Sequence, residues 1–175
     1  MSGEVRVPQP TMVLFGGGAA LACGLDGRLL SEELHGLFAG DTRVLSTYQM
    51  AIGGHAWRVL GRSPSGHATA TWEFQNPAIR DPAGDVAEGS LLLQLRRRLD
   101  GVLHDDFTVH AFAGRALRVR LSLQLDADFA DIFEVKDQSL PPRPSIRRVP
   151  SPSVCGSPTS GAASVVDLRY ALSRP

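Results

Sequence analysis

Three aspartates, Asp126, Asp128 and Asp131, stand close together at the end of a strongly alternating segment and are the residues best suited to chemistry. Two carboxylates at positions i and i+2 of a strand share one face, where they could hold a calcium ion or act as general acid and base. A calcium site needs an oxygen-rich loop, and none surrounds them. The favoured interpretation is that these acids cap turns and pair with nearby arginines, so no metal site is expected.

Other motifs for catalysis or ligand binding are incomplete. None of the five histidines stands four residues from another, and no cysteine pair accompanies them, so a zinc site is not expected. The run Gly16-Gly17-Gly18 lacks the Lys-Ser/Thr of a phosphate-binding loop, which favours a flexible turn. The Gly-x-Ser-x-Gly sequence of serine hydrolases does not occur. We therefore expect no catalytic residue and no cofactor in this chain.

Two tryptophans, Trp57 and Trp72, are candidates for contact with carbohydrate, because an exposed indole ring can stack on a sugar. Aromatic residues on alternating strands more often belong to the core. The core interpretation is favoured, and sugar stacking is kept as the alternative.

The elements that would position these residues are β-strands. Apolar and polar residues alternate with a period of two, which collects the apolar side chains on one face of a strand. In the longest run, from Leu117 to Leu125, Leu121 occupies the middle and is expected in the core. The basic clusters at 96–98 and 115–120 are expected on solvated faces. The other alternating runs are residues 44–52, 68–74, 91–96 and 107–111.

The turns between these runs predict antiparallel pairing. Asp100-Gly101 and Gly53-Gly54 are pairs that favour tight hairpins with positive φ. A meander of strands with one apolar face must cover that face, and a second sheet is the usual solution. The sequence therefore predicts an all-β fold, an antiparallel β-sandwich. Helix signals are few: Ser31 could cap one short turn through Leu37, ended by Gly40.

Composition divides the chain into three parts. Residues 1–11 are predicted to be a flexible N-terminus and residues 12–136 the β-sandwich domain. Residues 137–175 are predicted to be a disordered Pro/Ser-rich tail or an aberrant C-terminus, because prolines block strand ladders and little there can be buried. Within this tail, Val165 to Leu172 could form an isolated strand.

Charge and cysteine content limit the classes of partner. The net charge is zero and the isoelectric point is about 7.0, which argues against nucleic acid or an anionic membrane as partner. The two cysteines, Cys23 and Cys155, are too few for a disulfide framework. No signal peptide pattern opens the chain. A cytoplasmic protein is predicted.

Two segments resemble a known family. The first is GLFAGDTRVLS at residues 36–46, and the second is DADFADIFEVK at residues 126–136. Together they resemble the N-terminal domain of bacterial glycogen debranching enzymes of the amylo-alpha-1,6-glucosidase type. Between them, RRRLDGVLHDDFTV at residues 96–109 resembles the family's Arg-rich strand, hairpin turn and following strand. The resemblance covers residues 12 to 136.

This resemblance implies a β-sandwich placed before an (α/α) barrel that carries the two carboxylates for hydrolysis of α-1,6 linkages. The barrel domain, and an α-glucan, are the partners it implies. The sequence after Asp137 does not resemble the family's continuation, so we expect a fragment, or a truncated or frameshifted product. Three hypotheses follow: a non-catalytic accessory domain of a debranching-type glycoside hydrolase, a free-standing carbohydrate-binding module, or a non-functional product.

The two motifs are interpreted as structural or interdomain elements. A buried Asp–Arg contact, with Thr42 capping the backbone, would fix the start of a strand after Gly40. Apolar bulk beside the aspartates of the second motif would anchor the sandwich on a neighbouring domain. The residues assigned to these roles are Asp41, Thr42, Arg43, Asp126, Asp128, Phe129, Asp131, Phe133 and Glu134.

Overall fold

The structure is a computed structural model that describes residues 10–80, 84–113 and 119–140 and the backbone of a strand at 164–169. Its elements are β1 (Thr11–Gly16), β2 (Ala19–Gly24), β3 (Gly36–Ala39), β4 (Thr42–Leu45), β5 (Thr47–Ile52), β6 (His55–Ala56), β7 (Arg58–Ser65), β8 (Thr69–Gln75), β9 (Leu91–Leu99), β10 (Leu103–Ala111), β11 (Leu121–Asp126), α1 (Ile132–Lys136) and β12 (Ser164–Arg169). The prediction of an all-β fold is confirmed.

The strands form three antiparallel sheets. The N-terminal sheet has the order β1-β2-β3-β4, the central sheet β12-β10-β9-β8-β7, and the small sheet β11-β5-β6. Their inner faces meet in one core, to which the N-terminal sheet contributes Leu21, the central sheet Trp72 and Leu95, and the small sheet Tyr48 and Ile52. The sheets therefore cover one another's apolar faces around this core, as the sandwich prediction required.

Strands of the central sheet follow the predicted alternation. In β9 the residues from Leu91 to Leu99 at odd positions are all buried, and β10 repeats this pattern from Leu103 to Phe107. One of the buried positions of β9 is Arg97. The expectation that the whole basic cluster at 96–98 is solvated is therefore wrong at its central residue, because the strand parity turns Arg97 inward.

The prediction that Leu121 lies in the central core is wrong. Its side chain is 46% exposed, and Leu123 and Leu125 in the same row are only half-buried. β11 is the edge strand of the small sheet, so its apolar row lies at the rim of the sandwich. Alternation identifies which side chains share a face, but it does not show how much of that face a neighbour covers.

Two local predictions differ from the structure in the first half of the chain. The alternating run at 44–52 is divided at Ser46, since β4 belongs to the N-terminal sheet and β5 to the small sheet. Residues 31–34 form a turn, but Leu37 lies in β3, so the predicted helical turn does not extend to it. The helix that does occur is α1, in the second motif.

Glycine turns confirm the hairpin predictions. Gly53, Gly54 and Gly101 have positive φ values of 56°, 82° and 89°. The turn at Gly16–Gly18 joins β1 and β2 and packs against the turn between β9 and β10, where the Gly101 N–H donates to the Gly16 carbonyl at 2.9 Å. A Cβ on Gly17 would lie 2.2 Å from the carbonyl carbon of Asp100, so the contact between the two turns requires glycine there.

The predicted tail contributes one strand to the described structure. β12 pairs antiparallel with β10 and forms an edge of the central sheet, within the region where a strand at Val165 to Leu172 was proposed. Residues 1–9, 141–163 and 170–175 lie outside the described residues, and so does most of the predicted flexible N-terminus and tail. Among the described residues, no helix is long and apolar enough to cross a membrane.

Candidate functional site

The two sequence motifs meet at a single buried guanidinium group. Arg43 is fully buried, and its Nε donates to Oδ1 of Asp128 at 3.1 Å while its Nη2 contacts Oδ2 of the same carboxylate. The predicted buried Asp–Arg contact thus exists, but the acid comes from the other motif, 85 residues away. A bidentate pair of this kind fixes the relative orientation of the two segments.

Local backbone completes the environment of Arg43. Its Nη1 donates to the carbonyl of His35 at 3.0 Å and to that of Ser31 at 3.5 Å. The side chain lies over Gly36, where a Cβ would come within 2.5 Å of the Arg43 Cδ. The turn at 31–34 and the first residue of β3 therefore form a pocket that satisfies a buried charge, and Gly36 leaves the space for it.

The contact between the motifs at 36–46 and 126–136 forms a junction, and backbone hydrogen bonds extend it along both segments. The Arg43 N–H donates to the carbonyl of Ala130 at 2.8 Å, and the Ile132 N–H donates to the carbonyl of Asp41 at 2.8 Å. Thr42 forms a β-bridge with Asp131. The second motif thus continues the N-terminal sheet as an additional edge segment beside β4.

A second contact connects this junction to the small sheet. The carbonyl of Asp126 accepts from the Ser46 N–H at 2.8 Å and from the Ser46 hydroxyl at 3.2 Å. Ser46 is the residue at which the chain passes from one sheet to another, and Asp126 is the last residue of β11. The two motifs therefore join two sheets at the point where the chain crosses between them.

Helix α1 begins with a complete capping box. The Asp131 carboxylate accepts from the Phe133 N–H at 2.8 Å, and Glu134 accepts from the Asp131 N–H at 2.8 Å. The pattern D-x-x-E follows the capping-box signature and could have been found in the sequence. Two residues earlier, Phe129 has a φ of 50°, a conformation that residues other than glycine rarely adopt.

The apolar residues of the second motif divide into two groups. Ala130 and Val135 are buried against Phe38 on the outer face of the N-terminal sheet. Ile132 and Phe133 are 41% and 66% exposed. The first group holds α1 on the sheet, and the second leaves an apolar surface on the outside of the domain.

The three aspartates of the second motif have separate partners. Asp128 pairs with Arg43, Asp131 caps α1, and Asp126 accepts from the Ala127 N–H at 3.0 Å. Within the part of the chain that the structure describes, no group of three or more His, Cys, Asp or Glu residues is arranged to hold a metal ion. Each of the three carboxylates therefore accepts a hydrogen bond from a different neighbouring group of the protein.

The two tryptophans lie in the interior. Trp72 has no exposed surface, and its Nε1 donates to the carbonyl of Leu25 at 3.0 Å. Trp57 is 9% exposed and lines a shallow, open depression together with Arg28 and Val59. Stacking on sugar needs an exposed ring face, which Trp72 does not offer, so the core interpretation describes it better.

A buried ion pair that we did not predict from the sequence lies within the core. Arg97 donates from Nε and Nη2 to the two carboxylate oxygens of Asp105, both at 2.8 Å, and from Nη1 to the carbonyl of Gly27 at 2.9 Å. Its guanidinium lies 4.3 Å from the centre of the Tyr48 ring. The alternation in β9 could have predicted that Arg97 is buried, because Arg97 stands two residues after Leu95 and therefore on the same face of the strand.

Charge and burial together shift the pKa values of this core cluster. Burial by itself would lower the pKa of Arg97, but the charge and hydrogen bonds of Asp105 outweigh it and raise the pKa. Burial raises the pKa of Tyr48 well above its ordinary value, and the Asp105 charge adds to this. Burial also raises the pKa of the Cys23 thiol. Arg97 therefore stays charged, while Tyr48 and Cys23 stay neutral.

Antiparallel sheets that enclose one core define this part of the chain as a β-sandwich domain. The chain matches the family model for the N-terminal domain of (some) glycogen debranching enzymes over residues 14–164, and it is a member of that family. The match confirms the resemblance seen in the two motifs and continues into the region predicted to be a tail. Comparisons with curated proteins and with solved structures found no match.

Proposed function

We propose that this chain serves as a non-catalytic N-terminal accessory domain of a debranching-type glycoside hydrolase in bacterial glycogen and α-glucan metabolism. Membership of the family of N-terminal domains of glycogen debranching enzymes is the observation that carries the proposal. Its working partner is a catalytic (α/α) barrel domain, and its location is the cytoplasm.

The carboxylates support a non-catalytic role. Glycoside hydrolysis needs two carboxyl groups that face a scissile bond, one of them protonated. Asp128 accepts two hydrogen bonds from Arg43, and Asp131 is occupied as a helix cap. Neither is free to protonate a leaving group, which supports a catalytic pair supplied by another domain.

The exposed side chains of the second motif support the contact with a barrel. Phe133 and Ile132 present apolar surface beside the junction of the two motifs, and a neighbouring domain would bury them. In this role the sandwich would stabilise the barrel and help to shape its glucan-binding cleft.

Incubation of the purified chain with glycogen tests the absence of catalysis. We expect no release of glucose above a blank without protein. Robust release that Asp128→Asn abolishes, in a variant that circular dichroism shows to be still folded, would overturn the accessory role and make the aspartate cluster an active site.

A binding measurement tests the partner. The chain should associate with the catalytic region of a glycogen debranching enzyme that naturally carries an N-terminal domain of this family. Phe133→Ser should weaken this association, whereas Phe112→Ser, at another exposed phenylalanine, should leave it unchanged. No association with the wild-type chain would contradict the proposed partner.

Two alternatives have distinct outcomes. A free-standing carbohydrate-binding module would bind glycogen by itself, and Trp57→Ala would remove that binding. A truncated or frameshifted product would be recognised from the adjoining DNA, where a change of reading frame near Asp137 would favour it over an accessory domain.

A further inference from the structure

We propose that the outer edge of β10 is a strand-binding site, which the chain fills with its own residues 164–169 and which the same segment of a second copy can fill in trans. The proposal is independent of the proposed function, since it concerns only how the central sheet is completed. It assigns a specific role to a segment that composition alone predicts to be disordered.

The register of β12 matches the burial pattern of β10. Val166 stands opposite Phe107, and Leu168 stands opposite Asp105. Both β10 residues are buried, and residues directly opposite each other in an antiparallel pair belong to the same face. The register thus places the two apolar residues of β12 that flank Asp167 opposite the two buried residues of β10.

The edge of β10 also lies close to the buried ion pair of the core. Asp105, in the middle of β10, is the acid of the buried pair with Arg97. Without β12, the outward N–H and C=O groups of β10 would form an unpaired edge, which is a template for any extended segment. A strand on this edge therefore protects both the backbone of β10 and its buried charge from water.

Few contacts hold β12 in the described sheet, so the same segment of a second copy could take its place. It has β10 as its single neighbour in the described sheet, and residues 141–163 separate it from the rest of the described domain. In addition, Asp167 stands directly opposite Asp106, and like charges at opposite positions weaken strand pairing. The pairing therefore depends on backbone hydrogen bonds and two apolar positions, the recognition mode of strand addition.

A labelled peptide of residues 163–170 tests the site on the full chain by fluorescence anisotropy. In the variant Val166→Pro the chain's own strand loses a backbone N–H and can no longer pair, so the site opens. We expect this variant to bind the peptide at least about tenfold more tightly than wild type, in which the tethered strand competes at high effective concentration. The matched control Ser160→Pro should behave as wild type, and a peptide carrying the same Val166→Pro change should not bind.

Hydrogen exchange locates the binding. Peptide added to the Val166→Pro variant should restore protection of amides in β10 and leave those of β8 unchanged. Two results would overturn the proposal: a Val166→Pro chain that keeps the protection of β8 and β9 yet binds no peptide, or a wild-type chain that binds it equally well.

A second variant covers the case in which Val166→Pro does not fold. Asp167→Thr removes the like-charge pair with Asp106 and supplies a residue that favours strands. We expect slower exchange of the β10 amides and at least about twofold weaker peptide binding than in wild type. Unchanged or faster exchange in β10 would overturn the proposal without any reference to Val166→Pro.

Discussion

At the scale of single residues, the junction depends on one arginine whose side-chain donors are shared among three residues from two segments of the chain. Arg43 binds the carboxylate of Asp128 and the carbonyls of His35 and Ser31. A buried guanidinium is tolerated only when its donors are satisfied, because an unpaired buried charge costs several kcal/mol. Loss of any one of these acceptors would therefore leave a donor of the buried guanidinium unsatisfied.

Replacing Asp128 by Asn should destabilise the domain by about 2–4 kcal/mol, because it leaves the Arg43 charge buried without its counterion. The figure is below that for a fully buried pair because the Asp128 side chain is 23% exposed. Urea unfolding measures the effect. Glu73→Gln, at an exposed position in β8, is the control and should change stability by less than about 0.5 kcal/mol. Equal losses in both variants would refute the assignment.

His35 should make stability depend on pH. The imidazole is buried in the junction and its Nδ1 accepts from the Leu30 N–H at 3.3 Å. Burial lowers its pKa below the ordinary 6.5, although Glu33 opposes this. The unfolded chain therefore takes up the proton first, so stability is full above pH 6.5 and falls as the pH drops below it.

Urea midpoints measured from pH 7.5 down to about 5 test this dependence. His35→Gln should reduce the slope in that window, whereas His110→Gln, at an exposed position in β10, should not. An unchanged slope in His35→Gln would show that other groups cause the dependence.

At the scale of secondary structure elements, the sandwich depends on hairpin turns that approach one another closely. The turn between β1 and β2 touches that between β9 and β10 through the Gly16 carbonyl and the Gly101 N–H. Gly17 and Gly18 both have positive φ, but only Gly17 faces the other turn. Comparing alanine substitutions at these two glycines therefore separates the cost of a positive φ from the cost of a steric clash.

Gly17→Ala should cost at least about 1–3 kcal/mol more than Gly18→Ala in thermal or urea unfolding. Both changes place a side chain at positive φ, which costs about 1–2 kcal/mol. A Cβ at Gly18 meets nothing within 4 Å, whereas at Gly17 it would collide with the backbone of Asp100. Similar losses in the two variants would show that the turns do not pack in solution as described.

The edge position of β11 predicts a mild effect at Leu121. Because its side chain is 46% exposed, Leu121→Ala should cost less than about 1.5 kcal/mol. Leu95→Ala, at a fully buried position in β9, should cost about 2–5 kcal/mol by the same measurement. The reverse order would mean that the rim of the sandwich is covered in the free domain.

At the scale of the whole molecule, the buried pair of Arg97 and Asp105 joins all three sheets. Both residues belong to the central sheet, the Gly27 carbonyl that binds Arg97 follows β2, and the Tyr48 ring beneath it belongs to β5. The Tyr48 hydroxyl is buried without a hydrogen-bond partner among the described residues. An otherwise apolar core therefore contains one buried ion pair that contacts all three sheets or the turns beside them.

Removing one partner of this pair should cost more than removing both. Arg97→Met or Asp105→Leu alone leaves a buried charge and should cost about 3–5 kcal/mol, whereas the double variant should lose less than either single one. A double-mutant cycle from urea unfolding measures this coupling. Additive losses would contradict an ion pair as the main interaction at this point.

Much of this organisation could be derived from the sequence by itself. Alternation in β8, β9 and β10 predicted which residues share a face, because the side-chain period of a strand is a local property. Asp100-Gly101 and Gly53-Gly54 predicted hairpins, because positive φ depends on the residue at that position. The motifs at 36–46 and 126–136 identified the family, which the match over residues 14–164 confirmed.

Tertiary structure decided what depends on neighbours distant in the chain. Alternation could not show that β11 lies at an edge, where Leu121 stays half-exposed, because coverage depends on the adjacent sheet. Nor could it show that Arg43 pairs with Asp128, or that Arg97 is buried, since a charge enters a core only where its partner meets it. The strand at 164–169 also depends on a partner distant in the chain. The proline-rich sequence before it favours disorder, and the strand forms because the edge of β10 offers backbone groups for pairing.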